Sequence, residues 1–152
     1  MAIRQIRKKG DEILSKKSKE IEKIDDKIKE LAQDMLDTMY ENDGIGLAAC
    51  QVGMLKRIIV YDYLYVEEDG KKSPVVMINP VIKSRSKSMI TVEEGCLSFP
   101  DEFKEVKRHE KITVEYVDLN GKKKTLHAKD LEAVVIQHET DHLDGIVFLD
   151  RV

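Results

Sequence analysis

The stretch Gln137-His138-Glu139-Thr140-Asp141-His142 sets two histidines four residues apart, with a glutamate beside the first. On an α-helix, positions i and i+4 share a face, so both imidazoles reach one point. Glu139 stands one place round from His138, near enough to handle a proton there without being a ligand. H-E-x-x-H on a helix is a hydrolytic metal-site signature. Upstream, Asp130 is placed to cap this helix, and Leu131, Ala133, Val134, Val135 and Ile136 run apolar into His138. A helix so apolar is buried on most sides. Two surface histidines would be the plainer reading, but buried imidazoles need partners, and one shared metal ion serves both.

Working outward, Leu143-Asp144-Gly145 follows the helix, and Ile146 to Leu149 reads as a final strand. Before the helix, His109 to Val117 alternates with Ile112, Val114 and Tyr116 on one face. Asn120-Gly121 is a hairpin turn, and Lys122 to Ala128 is the return strand. Met89 to Val92 is β-branched and apolar and leads into Glu93 to Ser98, with Pro100 as its stop. Arg57 to Tyr61 and Pro74 to Ile82 are strands, the second interrupted by Asn79-Pro80. Glu67 to Lys72 reads as a polar hairpin tip, and Lys83 to Lys87 as a basic exposed loop.

Asp25 caps a long helix whose stripe is Ile28, Leu31, Ala32, Met35 and Met39, closed by Asn42-Asp43-Gly44. Gly10-Asp11 starts a short helical turn carrying Ile13 and Leu14, and Ala2 to Arg7 is anchored by Ile3 and Ile6. The expected fold class is α+β: antiparallel sheets packed around a buried C-terminal helix carrying H-E-x-x-H, plus one long N-terminal helix. At 152 residues the expected organisation is one catalytic domain over 1–152.

Charged residues are 36% of the chain and the net charge is −3, which gives no general reason to expect nucleic-acid binding or a polybasic membrane anchor. No apolar run approaches a membrane span, and Met1 to Lys9 lacks the apolar core of a signal peptide. The expected location is the cytoplasm. The two cysteines, Cys50 and Cys96, form no C-x-x-C pair and no disulfide framework.

A catalytic site of this kind uses three protein ligands and one open position. The chain runs only ten residues past His142, and Asp144 falls on another side of the helix. The third ligand therefore belongs upstream, among Cys50, Cys96, His109 and His127. Gly95 allows close approach at Cys96, which favours that residue without excluding the others.

Three blocks, GIGLAACQ (Gly44 to Gln51), EGCLS (Glu94 to Ser98) and QHETDH (Gln137 to His142), stand in this order. They resemble the three motifs of bacterial peptide deformylases, and the similarity covers essentially the whole chain. The resemblance implies that Cys96, His138 and His142 bind one metal ion. It would be Fe²⁺ in the cell, with Zn²⁺, Ni²⁺ or Co²⁺ as replacements in the purified protein. Glu139 would be general base and acid. The Gln51 amide and the Leu97 backbone N–H would hold the oxyanion.

The implied reaction removes the N-formyl group from the N-terminal methionine of new polypeptides and releases formate. The implied partners are an N-formylmethionyl peptide or nascent chain, and the ribosome. Ile45, Gly46, Leu131, Val134 and Val135 would line the methionine site, with Gly46 letting substrate backbone pair as an added strand. Glu94 and Arg108 are candidates for a supporting ion pair. Cys50 stands where relatives often have Thr and reads as a buried thiol. Two rivals remain: a zinc endopeptidase, and a structural zinc module using Cys50, Cys96, His138 and His142. The second is weakened by cysteines 46 residues apart, against the short spacings usual in structural sites.

Overall fold

The computed structural model describes residues 2–67 and 71–152. Its regular elements run in the order α1 (Asp26–Glu41), β1 (Gly46–Ala48), β2 (Ile58–Tyr61), the short α2 (Leu64–Glu67), β3 (Val75–Arg85), β4 (Met89–Cys96), β5 (Phe99–His109), β6 (Lys111–Val117), β7 (Lys123–Lys129) and α3 (Asp130–Leu143). Five strands form an antiparallel sheet in the order β1-β2-β3-β6-β7, and β4 pairs with β5 as a separate antiparallel ribbon.

The sequence of β2, Ile-Ile-Val-Tyr, explains the layering. Successive strand side chains point to opposite faces, so a run apolar at every position must be covered on both. All four are buried. Ile58 and Val60 pack with Ile28, Leu31, Met35 and Met39 of α1. Ile59 and Tyr61 pack with Ala133, Val135 and Ile136 of α3. Each such side chain contributes about 1.5–3 kcal/mol when fully buried, so this short strand ties both helices to one sheet.

Asp25 caps α1 as expected, its Oδ1 accepting from the Ile28 N–H at 3.0 Å, a contact worth about 1 kcal/mol. At α3 the expectation fails in detail. Asp130 caps nothing with its side chain; it is the first helical residue, and its φ is +53°. β7 runs into α3 with no loop, so the reversal falls on one left-handed residue, which Asp tolerates better than most.

Other differences have local causes. β3 passes through Asn79, at φ +52°, with a register shift between Ile78 and Val81, and continues to Arg85. The segment read as a basic loop is thus largely strand. Pro100 does not stop a strand; it lies at the start of β5, a long strand that the sequence reading missed. His109 ends β5, and β6 begins at Lys111. Ile146 to Leu149 is not a strand: Phe148–Arg151 is a 3-10 turn, with Asp150 Oδ2 accepting from the Val147 N–H at 3.0 Å. Ile3 is exposed, whereas Ile6 is buried. Of the expected hairpin tip, Glu67 ends α2 and residues 68–70 lie outside the described residues. No described helix is long and apolar enough to cross a membrane.

Candidate metal centre

α3 turns its histidine-bearing face inward: His138, Glu139 and His142 are all buried. β4 ends at Cys96, half-buried beside them. One ligand atom from each of Cys96, His138 and His142 lies within 4.8 Å of the others. Cys96 Sγ is 3.4 Å from His142 Nε2. A metal–sulfur bond of about 2.3 Å and a metal–nitrogen bond of about 2.0–2.1 Å at a tetrahedral angle separate S from N by about 3.6 Å. The donors therefore fit a small divalent ion. Burial opposes a charged His138, yet Glu139, Cys96 and Glu94 lift its pKa to about 10. His142 is driven well below its usual value by burial and by His138 and Arg108.

Glu94 orients His138, its Oε1 lying 2.8 Å from Nδ1. Carboxylate partners on the far ring nitrogen fix a ligand's tautomer and orientation. Glu94 is itself held by Arg108 through Nε and Nη2 at 2.8 and 2.9 Å. Burial alone would raise its pKa; the bonds from Arg108 and His138 reverse that and hold it at about 2. Arg108 Nη1 also donates to Asp141 at 2.7 Å, and Arg151 grips Asp141 with Nε and Nη2 at 3.1 and 3.0 Å. The Glu94–Arg108 pair was anticipated; Asp141 and Arg151 were not. The available signal was that Asp141, three residues past His138, shares its helical face.

Glu139 lies against β1. A Cβ on Gly46 would stand 2.6 Å from Glu139 Oε2, so only glycine leaves the carboxylate where it is. Glu139 Oε1 is buried without a hydrogen-bond partner among the described residues. Burial, aided by Glu94 and opposed by His138 and Arg108, raises its pKa to about 7. The Gln51 carbonyl accepts from the Ala48 N–H at 2.9 Å, which turns its amide nitrogen toward Ser98 Oγ at 3.1 Å and Cys96 Sγ at 3.5 Å. Ser98 as a partner was not foreseen, although it ends the EGCLS block.

A cavity of about 120 Å³ opens on this cluster, lined by Ile45, Gly46, Leu131, Val134 and Val135 together with Leu97 and the unanticipated Val92. Drug-sized sites run to about 300–1,000 Å³, so this one suits a single side chain. Cys50 stands apart. It is fully buried, its thiol donates to the His142 carbonyl at 3.5 Å, and burial, with Glu139 and Cys96, pushes its pKa to about 12. Cys50→Ser is expected to leave metal stoichiometry unchanged in the purified protein. Loss of the ion would revive the four-ligand structural site. His109 and His127 bond instead to Ser86 O and Thr113 Oγ1.

The polypeptide deformylase family matches residues 3–152. A peptide deformylase of Finegoldia magna is 51% identical over 152 residues, covering 100% of this chain and 91% of that protein. The crystal structure of peptide deformylase from Thermotoga maritima superposes with a TM-score of 0.93 at 38% identity, covering 100% of this chain and 99% of the other. The enzyme from Ehrlichia chaffeensis in complex with actinonin does so with a TM-score of 0.94 at 40% identity, covering 100% and 90%. With the three blocks meeting at one cluster of donors and the likeness running from end to end, the chain belongs to the polypeptide deformylase family.

Proposed function

We infer that the chain hydrolyses the N-formyl group from the N-terminal formyl-methionine of new polypeptides, releasing formate, with Cys96, His138 and His142 holding one divalent cation. The observation that carries this reading is a buried, unpartnered Glu139 oxygen beside three convergent donors, at the end of an apolar cavity sized for one side chain. When bound there, a divalent ion would lower the pKa of a water molecule to roughly 7 and would polarise the formyl oxygen.

Glu139 takes the proton from the attacking water and delivers it to the leaving amine; a carboxylate with a pKa near neutrality is suited to both steps. The Gln51 amide N–H and the Leu97 backbone N–H hold the negative charge that develops on the formyl oxygen. The Gln51 carbonyl is already committed to Ala48, so the amide cannot rotate to present its oxygen. One such donor is worth about 10²–10³ in rate. Ile45, Leu131, Val134 and Val135 take the methionine side chain. The substrate backbone lies along β1, an edge strand of the larger sheet.

Thiolate with two imidazoles suits iron and zinc alike, and Fe²⁺ is the ion we assign on family resemblance. The cytoplasm is the assigned compartment, and the ribosome the assigned neighbour of the substrate. The deciding experiment combines metal analysis of anaerobically purified protein with formate release from a formyl-methionyl peptide. Cleavage of internal peptide bonds without formate release would replace this reading with the endopeptidase one. Gly46→Ala gives a finer check. Its Cβ must displace the Glu139 carboxylate, and misplacing a reacting group by about 1 Å costs up to about 10²-fold. The expected result is a lower kcat with the metal retained.

A further inference from the structure

We propose that the 3-10 turn Phe148–Arg151 is a clasp on the metal centre, and that Arg151 is a positioning residue for His138. In a 3-10 helix, residues three apart stand on one side, so Phe148 and Arg151 project together. On α3, His138 and Asp141 are also three apart and share a face. The two pairs meet. The Phe148 and His138 rings lie 5.9 Å apart, centroid to centroid, at an interplanar angle of 33°. Arg151 donates to both oxygens of Asp141, from Nη2 to Oδ1 at 3.0 Å and from Nε to Oδ2 at 3.1 Å.

The turn is itself held in shape. The Asp150 N–H donates to the Val147 carbonyl at 2.9 Å, and the Asp150 carboxylate accepts from the Val147 N–H at 3.0 Å. Phe148 is buried and meets Phe99 edge-on, with centroids 5.7 Å apart. With Leu14 and Val106 these rings form an apolar cluster, and Cys96 packs against it. The turn therefore backs two of the three donors, His138 directly and Cys96 through the cluster.

From Arg151 a continuous line of hydrogen bonds runs inward. Asp141 Oδ2 also accepts from Arg108 Nη1 at 2.7 Å, Arg108 holds both oxygens of Glu94, and Glu94 Oε1 lies 2.8 Å from His138 Nδ1. Side-chain exposure falls along the line, from 46% at Arg151 to 16% at Asp141 and 4% at Arg108. A half-exposed ion pair by itself contributes little. This one differs in what it holds. The guanidinium fork fixes both Asp141 oxygens, and so fixes the angle at which one of them meets Arg108. Without the fork the Asp141 carboxylate turns on its stem, Arg108 loses an aligned acceptor, and the Glu94 oxygen facing His138 shifts. The inference rests on the metal-binding part of the deformylase reading. It deepens that reading by assigning retention of the ion to a turn outside the three sequence blocks.

The test follows Co²⁺ in the loaded protein, by its visible absorption and by the rate at which a chelator removes it. Losing the direct partner of a metal-bound histidine costs about 10–100-fold in affinity; Arg151 stands three links further out, so Arg151→Gln should speed release by about 3–10-fold. The visible band should shift with it. Arg151→Lys keeps the charge without the fork and should restore little of the slow release. Lys124→Gln is the matched control. It breaks the Lys124–Asp118 pair, whose side chains are 52% and 18% exposed, close to those of Arg151 and Asp141. Release and spectrum should stay as in the intact protein. In the Glu94→Leu/Arg108→Met background no hydrogen bonds join Asp141 to His138, so Arg151→Gln should there change release by less than about twofold.

Release from Arg151→Gln at the rate of the intact protein overturns the proposal. So does an equal acceleration in Lys124→Gln, which would mark a general loosening. So does an undiminished effect in the Glu94→Leu/Arg108→Met background, which would mean that the turn steadies the fold and not the ring. An intact protein that takes up no Co²⁺ sinks the deformylase reading and this inference together. One that holds Co²⁺ through Arg151 and releases no formate sinks the deformylase reading alone.

Discussion

Glu139→Gln lowers formate release from a formyl-methionyl peptide by about 10²–10⁴-fold and leaves the metal bound, the span usual for a lost general base. The amide keeps the size of the carboxylate, so the contact with Gly46 and the buried setting survive. What disappears is the ability to take a proton from water and pass it to the amine. Because Glu139 is not among the three convergent donors, metal content is the control. Full rate with full metal would remove Glu139 from the chemistry. Loss of the ion together with the rate would make it a ligand and require a different site.

The second large effect is expected at Glu94. Glu94→Ala leaves the buried Arg108 guanidinium with only Asp141, and His138 Nδ1 with no acceptor. Breaking a buried pair from one side costs about 3–5 kcal/mol, measured as a lower urea midpoint at unchanged m. Removing the partner of a metal-bound histidine costs about 10–100-fold in affinity, measured by chelator competition. A double variant separates the effects. Glu94→Leu with Arg108→Met should recover part of the stability, since an apolar pair can replace a buried ionic one. It should not recover the affinity, because His138 still lacks its carboxylate. Recovery of both would mean that Glu94 acts on the metal only through the fold.

The helix that carries the site was legible because two signals coincide there. The apolar run from Leu131 to Ile136 announces burial, and the four-residue spacing of the histidines announces a shared point. β2 was equally plain, being apolar at every position. β5 was not. Its inward residues include Val106 and the charged Arg108, and most of its other side chains face solvent. A two-stranded ribbon with one wet face leaves little apolar alternation to read. Arg108 looked like surface because its partners, Glu94 on β4 and Asp141 on α3, are distant in sequence. The cap misread at Asp130 has a similar origin. The same residue type serves caps and left-handed turns, and only the absence of a loop between β7 and α3 decides which. Ser98, which holds the Gln51 amide, lay in view within its block, but nothing in a linear sequence tells which side chain a buried glutamine will meet.

The complete enclosure of Cys50 has a practical consequence. The chain has two thiols, and the second, at Cys96, reaches the cavity beside His138 and Glu139. An alkylating dye added to native protein therefore reads a single sulfur, and that sulfur is shielded whenever it is coordinated. The uptake of label becomes an optical gauge of empty centres, taken in minutes and without chelators, on which the metal histories of different preparations can be compared.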